Sequence, residues 1–156
     1  MPRLLPGDSA PDFELQDQDS LPVKLSDFAG KKYVILTFYI QDEHPLCIRQ
    51  MAAFRELEHR FEALGAVILA ISGDSVASHK LFEISRRLHF TLLSDPKNRV
   101  ARLYELPFSW VGRLAGRESF LLDREGIIRA RCSARQHPES HAPEMLKALQ
   151  DLIAAT

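Results

Sequence analysis

The chain has 156 residues, of which 46% are hydrophobic and 26% charged, with a formal net charge of −1 at pH 7. That balance suits one soluble globular domain over residues 1–156. It gives no reason to expect nucleic acid as a partner, because phosphate contacts need a basic excess. No apolar run approaches about 18 residues, so no membrane span is expected. The opening MPRLLPGDSAPDF lacks the apolar core of a signal peptide. With two cysteines, the expectation is a cytoplasmic protein with reduced thiols, not a disulfide scaffold.

Phe13 and Leu15 alternate with polar residues, and Val23 and Leu25 resume after a polar turn, which predicts an N-terminal β-hairpin. Tyr33 to Tyr39 (YVILTFY) is a short apolar run rich in β-branched and aromatic residues, the pattern of a buried central strand. A helix is expected from Pro45, which a first turn accepts. Along it Cys47, Met51, Phe54, Leu57, Phe61 and Leu64 recur at steps of three and four, and Gly65 is a suitable stop. AVILAIS (66–72) reads as a second buried strand, completing a βαβ unit.

Asp74 or Ser75 can cap a further helix with Ala77, Leu81, Ile84 and Leu88 expected on its buried face. FTLLS (90–94) is a short strand and NRVARLYEL a brief helix. Residues 117–132 read as two strands around Asp-Arg-Glu-Gly. A last helix from Pro143 carries Met145, Leu146, Leu149 and Ile153. The sum is an α/β fold with a central mixed β-sheet flanked by helices. The arrangement points to a thioredoxin-like fold, which periodicity alone does not single out.

Cys47 is expected in the first turn of its helix, where unpaired N–H groups and the helix dipole favour an anion. A free thiol has a pKa of about 8.5 and is roughly 3% ionised at pH 7. Lowering that value to about 6 needs roughly 3.4 kcal/mol, and a helix terminus gives at most ~2 kcal/mol. A second cation or donor is therefore required. Further donors are needed if an O–O bond is to break at speed. The alternative for Cys47 is a small buried hydrophobe, the commonest fate of a free cysteine.

The segments GDSAPDFELQDQDSLPVKLSDFAGKKYVILTFY (7–39), LGAVILAISGDSVASHKLF (64–82), FTLLSDPKNRVARLYEL (90–106) and GRESFLLDREGIIR (116–129), with the cysteine helix, carry a family likeness. The chain resembles the peroxiredoxins, and within them the bacterioferritin comigratory protein or Q-type group, over about residues 4–131. The resemblance implies a thioredoxin-like fold and a thiol peroxidase that needs no cofactor. The family motif Pro-x-x-x-Thr/Ser-x-x-Cys reads IQDEHPLC here. Cys47 falls on the peroxidatic cysteine, His44 takes the place of the Thr/Ser, and Ile40 that of the first proline. Pro45 agrees with the Q-type group, Leu46 replaces its usual glycine, and Arg117 falls on the family arginine.

These matches imply Cys47 as nucleophile and Arg117 as electrostatic stabiliser. His44 becomes a substitute donor if its imidazole points inward. Pro45 and Ile40 shape the pocket, with Ile40 loosening a loop that proline would stiffen. Ala52 occupies the position where many Q-type proteins carry a resolving cysteine. The other thiol, Cys132, is expected to face the core, with a resolving role as the alternative. A one-cysteine cycle follows, with peroxide as substrate and an external reductant such as thioredoxin or a low-molecular-weight thiol. A monomer or weak homodimer is expected.

Other readings carry less. His44 and Cys47 with Asp42 and Glu43 offer too few ligands for a structural zinc site, and no metal is expected. Cys-x-x-Cys is absent, and no third orienting group marks a Cys-His hydrolase. Phe108 and Trp110 on a glycine-flanked loop are either a hydrophobic pin or the lip of a pocket. His79, His89, His137 and His141 receive no role. The rival to a peroxidase is a peroxiredoxin-like protein of weak or no activity, serving as redox sensor, interaction module or holdase chaperone.

Overall fold

The computed structural model describes residues 4–108, 116–134 and 137–156. Its strands are β1 (Glu14–Gln16), β2 (Pro22–Lys24), β3 (Tyr33–Phe38), β4 (Ala66–Ser72), β5 (Thr91–Ser94), β6 (Glu118–Leu122) and β7 (Ile128–Cys132). They form one sheet in the order β2-β1-β5-β4-β3-β6-β7. The helices are α1 (Pro45–Ala63), α2 (Val76–Arg86), α3 (Arg99–Leu103) and α4 (His141–Ala154). None is long and apolar enough to cross a membrane. This is the expected thioredoxin-like α/β architecture, with the β1–β2 hairpin added at one edge.

β3 and β4 are parallel, with α1 as their crossover, and β4 and β5 are parallel through α2. β3 is almost wholly apolar because both of its faces are covered, with Thr37 as its buried polar residue. Ile35 joins a core with Met51 and Phe54 of α1 and Met145 and Leu149 of α4. Val34, Leu36 and Phe38 alternate to the other face, against Phe13, Leu15, Val100 and Tyr104.

β6 runs antiparallel to β3, with Phe38 opposite Glu118 and Val34 opposite Leu122. The start of β6 therefore lies beside the end of β3, where the chain turns into α1. That register brings Arg117 next to the entrance of the cysteine helix.

The expected face of α2 is wrong. Leu81 and Ile84 are 70% and 64% exposed, while His79 and Phe82 are buried. Leu88 is buried, but it lies past the end of the helix, and Ala77 is exposed. A count of apolar spacing treats histidine as a surface residue. His79 is buried because distant elements supply partners for both of its ring nitrogens. α4 begins two residues earlier than the proline signal suggests, and His141 in its first turn is buried.

Candidate active site

α1 starts at the C-terminal end of β3, after a tight loop in which Glu43 has φ +64°. His44 is the N-cap and Pro45 the first helical residue. The imidazole Nδ1 of His44 accepts from the Leu46 N–H at 3.2 Å. A histidine thus takes the capping task that Ser, Thr, Asp or Asn usually perform. In the neutral ring that accepts at Nδ1, the proton sits on Nε2. No hydrogen bond joins His44 to the sulfur of Cys47.

Cys47 is 0% exposed and sits within the apolar core cluster. Among the described residues one polar group reaches it: Nη2 of Arg117 lies 3.7 Å from Sγ. Arg117 is itself only 4% exposed, and its Nε is buried without a partner. No ion pair joins it to a carboxylate among the described residues. The adjacent Glu118 is engaged elsewhere, in a buried pair with Arg131 at 3.1 Å. A desolvated guanidinium with no carboxylate beside it is stabilised by negative charge on the group it touches. Here that group is Sγ. The sulfur is sealed in an apolar core, yet a guanidinium stands beside it.

Ile40 is half-buried and packs against both cores, fixing the loop by contact where proline would fix it by φ. Pro45 is exposed at the helix entrance. Cys132, at the end of β7, is buried and free, as is Cys47. Burial, and then the nearby Glu144 carboxylate, push its thiol up to about 12. Trp110 lies outside the described residues. Phe108 is covered by the Arg102 guanidinium, 4.1 Å from its ring centre.

A family model, the AhpC/TSA family, matches residues 6–131. The chain belongs to the AhpC/TSA family. Among similar peroxiredoxins is the chloroplastic peroxiredoxin Q of Sedum lineare, 43% identical over 146 residues, covering 94% of this chain and 78% of that protein. The crystal structure of peroxidoxin BcpB from Mycobacterium tuberculosis is 30% identical with a TM-score of 0.89, over 96% of this chain and 99% of that one. Bacterioferritin comigratory protein of Xanthomonas campestris is 26% identical with a TM-score of 0.81, over 90% and 91%. As a peroxiredoxin of the Q type, the chain is a thiol-dependent peroxidase.

Two polar groupings in this peroxiredoxin escaped the sequence reading. One starts on α1 one turn after the thiol. Gln50 Nε2 donates to Thr37 Oγ1 at 2.7 Å, and its Oε1 is buried without a partner. Ser119 Oγ lies 2.8 Å from Thr37 Oγ1 and 2.7 Å from His141 Nδ1, and His141 Nε2 donates to the Ala134 carbonyl at 2.9 Å. Burial holds the His141 imidazole below its usual value, so the ring is neutral near pH 7. The other grouping joins Asp42, Asp74 and His79, whose ligand-type atoms lie within 4.8 Å of one another. It, and not His44 with Cys47, is the carboxylate–histidine cluster among the described residues. Sequence spacing gave no signal for either, because each draws on strands and helices far apart in the chain.

Proposed function

We propose that Cys47 is the peroxidatic nucleophile and Arg117 the residue that stabilises both its thiolate and the departing oxygen. The observation that carries this reading is the 3.7 Å contact between Arg117 Nη2 and Cys47 Sγ, made with both groups buried. The thiolate attacks one peroxide oxygen. An S–O bond forms, the O–O bond breaks, and sulfur is oxidised to a sulfenic acid. The second oxygen leaves with a proton as water or an alcohol. Nε of Arg117, free of other partners, is available to donate to an oxygen as its charge develops. His44 acts as the helix cap, keeping the first turn in the geometry that presents Sγ, with Nε2–H as its remaining donor.

The cycle uses one cysteine. A first external thiol condenses with the sulfenic acid, releasing water and leaving a mixed disulfide, and a second thiol frees Cys47. The raised thiol of Cys132 supports this, because a resolving cysteine must attack as thiolate. The reductant is a thioredoxin-type protein or a low-molecular-weight thiol. The substrates are hydrogen peroxide and small alkyl hydroperoxides. The apolar surroundings of Cys47 suit the latter, and the Xanthomonas campestris relative is described with alkyl peroxide reduction activity. A reducing compartment such as the cytosol fits the sparse cysteine usage, and the working form is a monomer or weak homodimer.

The test is to mix the reduced protein with hydrogen peroxide or an alkyl hydroperoxide and follow Cys47 by mass spectrometry. Rapid sulfenic acid formation, abolished in Cys47→Ser, is the expected result. A rate no faster than that of a free thiol overturns the assignment.

A further inference from the structure

We propose that the buried Tyr39–Asp42–His79 cluster is a positioning device for the loop in front of Cys47, with His79 holding Asp42 in place. It rests on the reading of Cys47 as the reactive thiol. Asp42 lies in the short loop between β3 and α1, five residues before the cysteine. Its Oδ1 accepts the Tyr39 hydroxyl at 2.6 Å. Its Oδ2 accepts the Ser78 hydroxyl at 2.8 Å and lies 2.7 Å from His79 Nδ1. Its backbone N–H donates to Asp74 Oδ2 at 2.8 Å, and that oxygen also accepts the Ser72 hydroxyl at 2.7 Å.

The proton count is fixed by the far side of the ring. His79 Nε2 faces the Leu93 carbonyl at 3.0 Å, and a carbonyl only accepts, so Nε2 carries hydrogen. One further proton must then lie between Nδ1 and Oδ2, since two facing lone pairs would repel at 2.7 Å. Tyr39, raised well above its ordinary value by burial and by Asp42, stays a donor. Asp42 Oδ1, Asp42 Oδ2 and Asp74 Oδ2 each accept at least one donor, and both His79 ring nitrogens are engaged. The grouping is a buried hydrogen-bond set that ties the loop to its neighbours.

What this set joins matters more than its composition. Tyr39 directly follows the central strand β3, Asp42 sits in the loop, His79 and Ser78 are on α2, and Leu93 is on β5. Asp42 is pinned directly to α2, and through His79 to β5. The residues that follow it, Glu43 at positive φ and the capping His44, have their path set by that anchor. Outside it, Glu43 bonds Arg86 at 2.7 Å and Ser85 at 2.7 Å, but at the surface. An exposed pair of this kind contributes little. The buried pair is the one whose loss leaves an uncompensated group.

The experiment compares Asp42→Asn, His79→Gln and Tyr39→Phe with wild type, after circular dichroism establishes that each is folded. Two rates are read at one pH: Cys47 oxidation by hydrogen peroxide, and Cys47 alkylation by iodoacetamide. Oxidation needs a positioned site, whereas alkylation of a fully buried sulfur needs the loop to open. Asp42→Asn and His79→Gln are expected to slow oxidation by roughly tenfold or more and to speed alkylation by about threefold or more, with Tyr39→Phe smaller in the same directions. A variant that only lowers global stability, while still folded, speeds alkylation through global opening but leaves oxidation unchanged. Rates that stay within twofold of wild type, or any pattern other than opposite changes, overturn the proposal. If Asp42→Asn and His79→Gln do not fold, Tyr39→Phe decides alone, because it deletes one hydroxyl from an otherwise unchanged ring. If wild type itself does not react with peroxide, the reading of Cys47 fails. The alkylation rates then still decide whether the cluster holds the loop.

Discussion

The two cysteines are both buried, both unpaired and both in the same apolar core cluster, yet their surroundings are opposite. Cys47 stands at a helix N-terminus with a guanidinium 3.7 Å away. Cys132 ends a strand with a carboxylate as its electrostatic neighbour, and its thiol is raised to about 12. Burial is common to both and does not tell them apart. The sign of the nearest charge does, and in a desolvated site that charge is little screened.

The contrast can be broken from the side of Cys47. Arg117→Met keeps much of the side-chain volume but removes the cation, leaving a buried sulfur with no positive charge beside it, as at Cys132. Losing such a donor is expected to slow Cys47 oxidation by about 10²–10³-fold, read by stopped-flow mixing with peroxide. A loss under threefold would mean the guanidinium is a structural neighbour only.

Differential labelling sharpens the same contrast. A thiol with a pKa of about 12 is ionised to about 10⁻⁴ at pH 8. Iodoacetamide on the folded protein should therefore modify Cys47 at least tenfold faster than Cys132, as peptide mass spectrometry would show. In urea the two rates should converge. Replacing Cys132 by Ala should leave the Cys47 oxidation rate and turnover with an external thiol within twofold of wild type. A collapse of turnover in that variant would make Cys132 the resolving residue.

Smaller effects appear in stability. Between about pH 9 and about 12 the unfolded chain releases the Cys132 proton while the folded chain keeps it. Stability is thus lost as pH rises through that window, and Cys132→Ala should flatten the loss. His141 behaves in the opposite sense. Its folded value lies below 6.5, so below that pH the unfolded chain takes up a proton that the folded ring refuses. Stability is lost as pH falls from 6.5, and His141→Asn should reduce this slope. Urea titrations at pH 7, 5.5 and 10 measure both.

Much of the fold was legible because its central strands are covered on both sides. YVILTFY and AVILAIS are predominantly apolar, as a sheet flanked by helices on both faces requires. α2 was misread for the converse reason. Its buried face carries His79, which is admissible only because Asp42 and the Leu93 carbonyl meet its two nitrogens, and neither is near it in sequence. Cys47 was legible locally, from a proline and a helical apolar stripe after a buried strand. Arg117 was reached through family likeness, since nothing around GRESFLL reveals which strand it will pair with. The capping use of His44 was not legible at all. The sequence reading weighed its imidazole as a donor toward sulfur, whereas its Nδ1 accepts from Leu46.

The antiparallel register of β6 against β3 has a temporal side. Cys47 and Arg117 are 70 positions apart, so a ribosome emits the thiol long before the guanidinium. Until β6 docks, the nascent chain holds Cys47 without its cation. Contacts of such separation are among the slower ones to form. On the proposed roles of these two residues, fast oxidant chemistry at this sulfur waits until synthesis has passed the late hairpin, and a fragment ending before it would carry the thiol without its guanidinium.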